Sequence, residues 1–264
     1  MTVQRTKRFI LPMILGSMGF LTILVSEVIV QIQGSKIVQV TWLASFLIMV
    51  STIIIRFYSI DPKHFDEIIQ TTNPMESQHL KSLRFLNWIV LAMVIGLIAT
   101  ITIAFDFFVG VLIYLVMQVC LIVSFSGIIS LRPSVLLANP KLRKSFITSL
   151  VFWMVAAPLI YFVLIYSNAE SLLVIPYVIA IGTMACISCF GLGYDQRSKA
   201  FRWMMIAASL LFVFSDTLIG NARYGQVSFK LNQLIDITYV LNILLMSHAI
   251  LFLKDGSGNT PFKT

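Results

Sequence analysis

The sequence predicts an all-α polytopic membrane protein with eight transmembrane helices and both termini in the cytoplasm. Composition is the first reason: 58 % of the 264 residues are hydrophobic and only 11 % are charged, whereas a soluble domain contains about 25 % charged residues. The 19 Lys and Arg outnumber the 11 Asp and Glu. Loops that face an anionic cytoplasmic leaflet explain this excess, so we expect no nucleic-acid partner.

Eight apolar stretches supply the predicted helices. A helix needs about 20 apolar residues to cross the hydrocarbon core of a bilayer. The stretches cover residues 9–31, 37–55, 85–105, 107–131, 146–166, 171–191, 203–220 and 231–253. We expect a single membrane domain over residues 1–264, within which residues 56–84 form a cytoplasmic connector.

The distribution of basic residues supports an even number of spans independently of hydropathy. If the chain crosses the membrane eight times, 16 of the 19 Lys and Arg fall on one side, and only Lys36, Arg223 and Lys230 fall on the other. Cytoplasmic loops are enriched in Lys and Arg, so this bias predicts that both termini are cytoplasmic. We expect a multi-pass integral membrane protein, in the cytoplasmic membrane if the cell is prokaryotic.

Proline residues mark the starts of two helices and interrupt two spans. Asn73 and Asn139 each precede a proline, and an asparagine cap followed by proline is typical of a helix N-terminus. Pro158 and Pro176 fall inside spans five and six, where the missing backbone donor should kink each helix. Kinks there could open a cavity.

Three acidic residues lie within the predicted spans. An ionisable side chain in the bilayer costs at least about 2.5 kcal/mol on insertion scales, so an intramembrane acid is a functional candidate. With a rise of about 1.5 Å per residue, Glu27, Asp216 and Asp236 lie at a similar depth, roughly 6 to 8 Å below the outer boundary. These acids are the catalytic candidates, on helices that could converge. The alternative is that each reaches the interface or a nearby hydroxyl.

Uncharged polar residues within the spans are candidates for binding a substrate beside these acids. They lie next to Asp216, on the same span as Asp236, or near the middle of span four. They are Ser215, Tyr239, Asn242 and Gln118. Their hydroxyl and amide groups can bind or orient a guest molecule.

The sequence offers no ligand set for a metal or a cofactor. His248 is the only histidine within a span, whereas a membrane di-haem or histidine metal site needs several. Cys120, Cys186 and Cys189 all lie in apolar stretches and are expected to be packing residues. We therefore expect neither a metal nor a cofactor.

Three segments within the spans carry motifs of a known family. They are AASLLFVFSDTLI at residues 207–219, TYVLNILL at 238–245, and FVGVLIY at 108–114 followed by Gln118. These segments resemble GAxLFxxSDxxLA, YYxAQxLI and FxxGLxAFlxaHxxY of the YhhN-like lysoplasmalogenase family. The eight-helix layout of that family matches the layout that the charge distribution predicts.

The resemblance implies a hydrolase that cleaves the vinyl-ether bond of a lysoplasmalogen into a fatty aldehyde and a glycerophospho-alcohol. The implied partner is a membrane lipid or lysolipid substrate. Protonation of the vinyl-ether β-carbon gives an oxocarbenium ion, so a neutral acid must deliver the proton while an anionic partner stabilises the cation and activates water. Burial and a nearby carboxylate both keep a carboxyl protonated. On this scheme Asp216 holds one role, and Asp236 or Glu27 holds the other.

Two positions depart from the family pattern. The Gly-Asp of span three is Gly96-Leu97 here, and Gln118 replaces the histidine of span four. Either Asp236 or Glu27 substitutes for the missing carboxylate, or the chain has lost hydrolase activity and keeps a cavity for a lipid or another ligand. Three hypotheses follow: a hydrolase of ether lysolipids, a non-catalytic binding or transport protein, and a structural membrane protein without a ligand.

Overall fold

All regular structure in the described part of the chain is helical. The computed structural model of the protein describes residues 2–33, 38–58, 74–129, 133–193, 197–224 and 230–253. Within those ranges, eight helices are long and apolar enough to cross a membrane. This confirms the predicted all-α class and the predicted number of spans, while the orientation of the termini stays a prediction.

Each spanning helix contains one of the predicted apolar stretches or most of it. The helices are α1 (Thr2–Gln33), α2 (Val38–Tyr58), α3 (Pro74–Thr102), α4 (Phe107–Ile128), α5 (Pro140–Ile160), α6 (Ile175–Phe190), α7 (Lys199–Tyr224) and α8 (Lys230–Ala249). A short helix, Pro133–Ala138, lies between α4 and α5.

The asparagine cap predicted for the fifth span is confirmed. The Asn139 side-chain oxygen accepts hydrogen bonds from the backbone N–H groups of Lys141 and Leu142, at 3.1 and 3.3 Å. These bonds satisfy two of the donors that the first turn of a helix leaves without an intrahelical partner. Asn73, the other predicted cap, lies outside the described residues.

The two prolines predicted to kink a span differ in their positions. Pro176 lies in the first turn of α6, directly after the 3₁₀ helix Ala169–Val174 and inside the apolar span Ala169–Gly193. The kink predicted there stays a prediction. Pro158 does lie inside α5, which passes into a π-helical turn at Tyr161–Ile165.

The helices pack as three hairpins joined into a ring, with α5 outside it. The hairpins are α1–α2, α3–α4 and α7–α8, and contacts of α2 with α3, α4 with α6, α6 with α7, and α1 with α8 close the ring. α5 packs mainly against α6. In the apolar stretch of the α5 span only 17 % of the residues are buried, against 56 % for the α8 span. α5 is therefore the helix most exposed to lipid, and α8 is the most enclosed.

The α3–α4 hairpin depends on a glycine at its tightest point. A Cβ atom added at Gly110 would lie 2.6 Å from the Cα atom of Ile103, a distance at which backbone must move. Small residues are typical at such crossings, because van der Waals packing is a main source of helix association in a membrane. Further along α4, a Cβ atom at Gly127 would meet nothing within 4 Å.

We expect Gly110→Ala to destabilise the protein, because the added methyl group forces the α3–α4 turn apart. Overpacking of this kind costs about 1 to 3 kcal/mol, which thermal unfolding in detergent should report as a lower Tm. Gly127→Ala on the same helix is the matched control and should be neutral or slightly stabilising, since alanine is the better helix former by about 1 kcal/mol. Equal effects of the two substitutions would contradict the close packing at Gly110.

Candidate functional site

Asp216 lines an apolar cavity between α4, α5, α6 and α7. The side chains around it include Trp153 from α5, Tyr177 from α6 and Val213 from α7. The cavity volume is about 50 Å³, enough for a few water molecules but not for a whole lipid. Among the described residues that line it, Asp216 is the single acidic one, and none of them is Lys, Arg or His. We call this space the Asp216 cavity.

A tyrosine from the neighbouring helix holds the Asp216 carboxyl. The Tyr177 hydroxyl donates a hydrogen bond to Oδ2 of Asp216, and the bond joins the first turn of α6 to the C-terminal half of α7. A hydrogen bond to a carboxyl is stronger than one between neutral groups when the carboxyl is ionised. Because Oδ2 is occupied, Oδ1 is the oxygen left for a proton or a guest molecule.

A hydrogen-bonded chain of hydroxyl groups runs from the Asp216 cavity into α3 and α8. Thr100 Oγ1 lies 2.8 Å from the Tyr114 hydroxyl and 2.7 Å from the Tyr239 hydroxyl. Thr100 also donates to the Gly96 carbonyl oxygen at 2.8 Å. A threonine hydroxyl has one hydrogen and two lone pairs, so both tyrosines must donate to Thr100. Both tyrosines also lie within electrostatic range of Asp216.

A second hollow lies beside the Asp216 cavity and is lined by Asp236. We call it the Asp236 hollow; its volume is about 310 Å³. Thr100, Tyr239 and Arg223 also line it. The residues that line both spaces are Ile103, Phe107, Tyr114 and Ile219. The two acids thus lie on opposite sides of a thin partition, and the carboxyl of Asp236 does not line the cavity of Asp216.

Glu27 lies in different surroundings from Asp216. Glu27 is buried on α1, which packs against α2 and α8. One turn further along α1, Gln31 Nε2 lies 3.5 Å from Gln233 Oε1 of α8. Glu27 therefore lies on the helix that adjoins Asp236, and it lines neither the Asp216 cavity nor the Asp236 hollow. α8, which contains Asp236, contacts both α1 and α7, and the three acids do not all line one space.

Of the predicted binding residues, the structure places Tyr239 in the Asp236 hollow and the others outside both spaces. The Ser215 hydroxyl donates to the Ile235 carbonyl oxygen at 3.2 Å and so links α7 to α8. Asn242 is fully buried, and its amide has no hydrogen-bond partner among the described residues. Ser215 is therefore a packing contact of the α7–α8 hairpin.

Gln118 lies next to the Asp216 cavity without lining it. The side chain is fully buried and close enough to the Tyr177 hydroxyl for the two groups to interact. Neither amide atom has a partner at hydrogen-bond geometry among the described residues. Gln118 can therefore turn its amide toward the hydroxyl that holds Asp216.

Sequence reasoning missed Tyr177, Tyr114 and Thr100. The mean hydropathy of a span does not reveal that a tyrosine within it carries a hydroxyl group. A usable signal was present, since a buried tyrosine hydroxyl needs a partner and an intramembrane carboxyl needs a donor.

Among the described residues, no group of three or more His, Cys, Asp and Glu is placed to hold a metal ion.

Comparison with known proteins identifies the family. The model of the YhhN family matches residues 68–250. The matched range contains α3 to α8 and therefore both Asp216 and Asp236, whereas Glu27 precedes it. No curated protein and no solved structure matches the chain. With a family match over more than half of its length, and with Asp216 held inside the matched helices, the chain belongs to the YhhN family.

Proposed function

We propose that the protein is a membrane-embedded hydrolase of ether lysolipids, which cleaves the vinyl-ether bond of a lysoplasmalogen to a fatty aldehyde and a glycerophospho-alcohol. One observation carries the proposal: the Asp216 carboxyl lines an apolar cavity within the spanning helices and is held there by the Tyr177 hydroxyl. Membership of the YhhN family supports a lysoplasmalogenase-like activity.

The first chemical step needs a proton donor beside the alkenyl chain. The β-carbon of a vinyl ether takes a proton from a neutral acid and leaves an oxocarbenium ion at the α-carbon. We assign the donor role to Oδ1 of Asp216. The neutral acid is the resting form in this proposal, because no cation among the described lining residues offsets the burial of a carboxylate.

The same carboxyl completes the reaction. After proton transfer the Asp216 carboxylate is anionic, accepts the Tyr177 hydrogen bond and stabilises the adjacent cation. It then takes a proton from the water that attacks the α-carbon. The resulting hemiacetal breaks into aldehyde and alcohol, so one water is consumed and Asp216 is protonated again. This scheme needs no second acid in the cavity and is compatible with Leu97 in place of the family's aspartate.

The substrate would enter from the membrane past α5. Trp153, Ala157 and Ile160 of α5 form one wall of the Asp216 cavity, and Ile165 of the π-helical turn continues it. Because α5 packs mainly on α6, this wall can move without opening the ring. π-helical turns are frequent at functional sites. The small resting cavity means that an alkenyl chain must displace this wall to bind.

A non-catalytic lipid-binding protein is the second candidate function. The observation that favours it is the single acid among the described residues lining the Asp216 cavity, together with Leu97 where the family has an aspartate. Binding of a lysoplasmalogen to purified protein without release of aldehyde would select this function. Lipid analysis of cells with and without the protein would then name the lipid class that it retains.

We expect Asp216→Asn to abolish aldehyde release from a lysoplasmalogen by the purified protein. The amide cannot donate an acidic proton, and loss of a general acid costs about 10²- to 10⁴-fold in rate. Asp106→Asn is the matched control, because exposed Asp106 accepts a hydrogen bond from the Val109 backbone N–H at 3.0 Å and asparagine caps equally well. Activity of the Asp216 variant within tenfold of wild type would exclude Asp216 as the proton donor.

We expect Tyr177→Phe to lower kcat by about 10-fold or more with little change in KM. The lost hydrogen bond supports the anionic carboxylate of the reaction, and a bond to a charged group contributes about 1.5 to 3 kcal/mol. Steady-state kinetics on the aldehyde product would measure the change. Tyr166→Phe serves as the control, since Tyr166 is 50 % exposed. A change confined to KM would instead assign Tyr177 to substrate binding.

A further inference from the structure

An arginine lies between two spans at the end of the bundle opposite to both acidic spaces. Arg56 is in the last turn of α2, inside the apolar span of that helix. Its Nε donates a hydrogen bond to Oδ1 of Asn87 on α3 at 2.7 Å, whereas its Nη1 is buried without an acceptor among the described residues. A positive charge that is partly removed from water is stabilised by a nearby anion.

The described side chains supply no such anion at this end of the bundle. The Asn87 amide is neutral, so it accepts a hydrogen bond from Arg56 without balancing the charge. The acidic side chains that the structure describes all lie in the opposite half of the bundle; they are Glu27, Asp106, Glu170, Asp216 and Asp236. An anion that balances Arg56 would therefore be a bound molecule.

A second arginine lies beside the first. Arg84 is exposed and precedes Asn87 by one turn of α3, and residues three apart on a helix are neighbours on its surface. The two guanidinium groups thus lie on either side of one neutral amide and repel each other. An anion bound between them relieves the repulsion, and the oxygens of a phosphate match the N–H donors of a guanidinium group. We call Arg56, Asn87 and Arg84 the Arg56 cluster.

The surroundings of the Arg56 cluster are those of a membrane interface. Trp88 follows Asn87 and is 36 % exposed, and tryptophan is enriched where lipid headgroups meet the hydrocarbon core. Leu91 and Ile98 are exposed further along α3. With Arg84 and Trp88 they form one stripe, because spacings of 4, 7 and 14 residues return to the same side of a helix. An acyl chain can lie along this stripe while its phosphate contacts the cluster.

We propose that the Arg56 cluster binds the phosphate of an anionic phospholipid, in the leaflet that the charge distribution predicts to be cytoplasmic. The guanidinium groups of Arg56 and Arg84 donate to the phosphate oxygens, and an acyl chain lies against Trp88. The cytoplasmic leaflet contains anionic lipids, and basic pockets between helices bind their headgroups. The amine of a zwitterionic lipid would meet no described acid here, so a lipid with a net negative charge is favoured.

This site is separate from the proposed reaction. The Arg56 cluster lies near one end of the α3 span, whereas Thr100, beside the two acidic spaces, lies near the other end. The bound lipid is therefore not the substrate, and the inference does not rest on the proposed function. Release of aldehyde from a lysoplasmalogen, or its absence, leaves the lipid site to be decided by binding alone.

Thermal unfolding of the full-length protein in a neutral detergent tests the site. Phosphatidylglycerol and phosphatidylcholine with the same acyl chains are titrated separately, and the rise in Tm is followed. We expect phosphatidylglycerol to act at a concentration about tenfold lower, the factor of a hydrogen bond to a charged group. Glycerol 1-phosphate is the soluble probe. If it acts at the same concentration as phosphatidylglycerol, the cluster binds a soluble phosphate and the assignment to a lipid is overturned.

We expect Arg84→Gln to remove most of the preference for phosphatidylglycerol and to leave the effect of phosphatidylcholine unchanged. Arg143→Gln is the matched control, because Arg143 is an exposed arginine near the start of α5, at the same end of the bundle. It should keep the preference of the wild-type protein. An equal loss in the two variants would show that the lipid responds to the overall positive charge of this end, which overturns the site.

Asn87→Asp provides a second test, because it places an anion beside Arg56 within the protein. Aspartate has nearly the shape of asparagine, and its carboxylate accepts the same hydrogen bond from Arg56 more strongly. We expect this variant to have a higher Tm than the wild-type protein without added lipid and to gain less from phosphatidylglycerol. A gain as large as that of the wild-type protein would contradict the proposal. If the variant does not fold, Arg84→Gln and its control decide.

Discussion

The requirement that a buried carboxyl find its partner inside the protein governs this part of the bundle. The lipid of the hydrocarbon core offers no hydrogen-bond donor to a polar group, and Asp216 on α7 takes its donor from Tyr177 on α6. That hydrogen bond joins α6 and α7, two helices of the ring. α5 lies outside the ring and packs mainly against α6. The apolar cavity lies beside this hydrogen bond, and its lining side chains leave a volume of about 50 Å³ unfilled.

Two neighbouring spaces with different linings lie within the helices. The Asp216 cavity is apolar with a single acid among its described lining residues, whereas the Asp236 hollow is lined by an acid, an arginine and several hydroxyl groups. Ile103, Phe107, Tyr114 and Ile219 line both spaces and so lie between them.

The eight spans could be predicted from the sequence because both signals, apolar length and basic loops, are local and strong. The site could be predicted only in part. Apolar length gives the depth of Glu27, Asp216 and Asp236 but not the direction in which each side chain points. Ser215 and Thr217 flank Asp216 on opposite sides, and only Thr217 lines the cavity, while Ser215 reaches α8. Pro176 lies where a 3₁₀ helix passes into α6, a junction that the length of an apolar stretch does not reveal.

The hydroxyl of Thr100 fixes the direction in which the hydroxyl hydrogens of Tyr114 and Tyr239 point. Its one hydrogen goes to the Gly96 carbonyl oxygen, so the phenol hydrogens of Tyr114 and Tyr239 both turn inward toward it. The two tyrosine hydroxyl groups therefore present oxygen lone pairs, and not hydrogens, to a bound molecule. A surface of oxygen lone pairs attracts a cation and repels an anion. Positive charge is therefore stabilised beside the two tyrosine oxygens, and negative charge is disfavoured there.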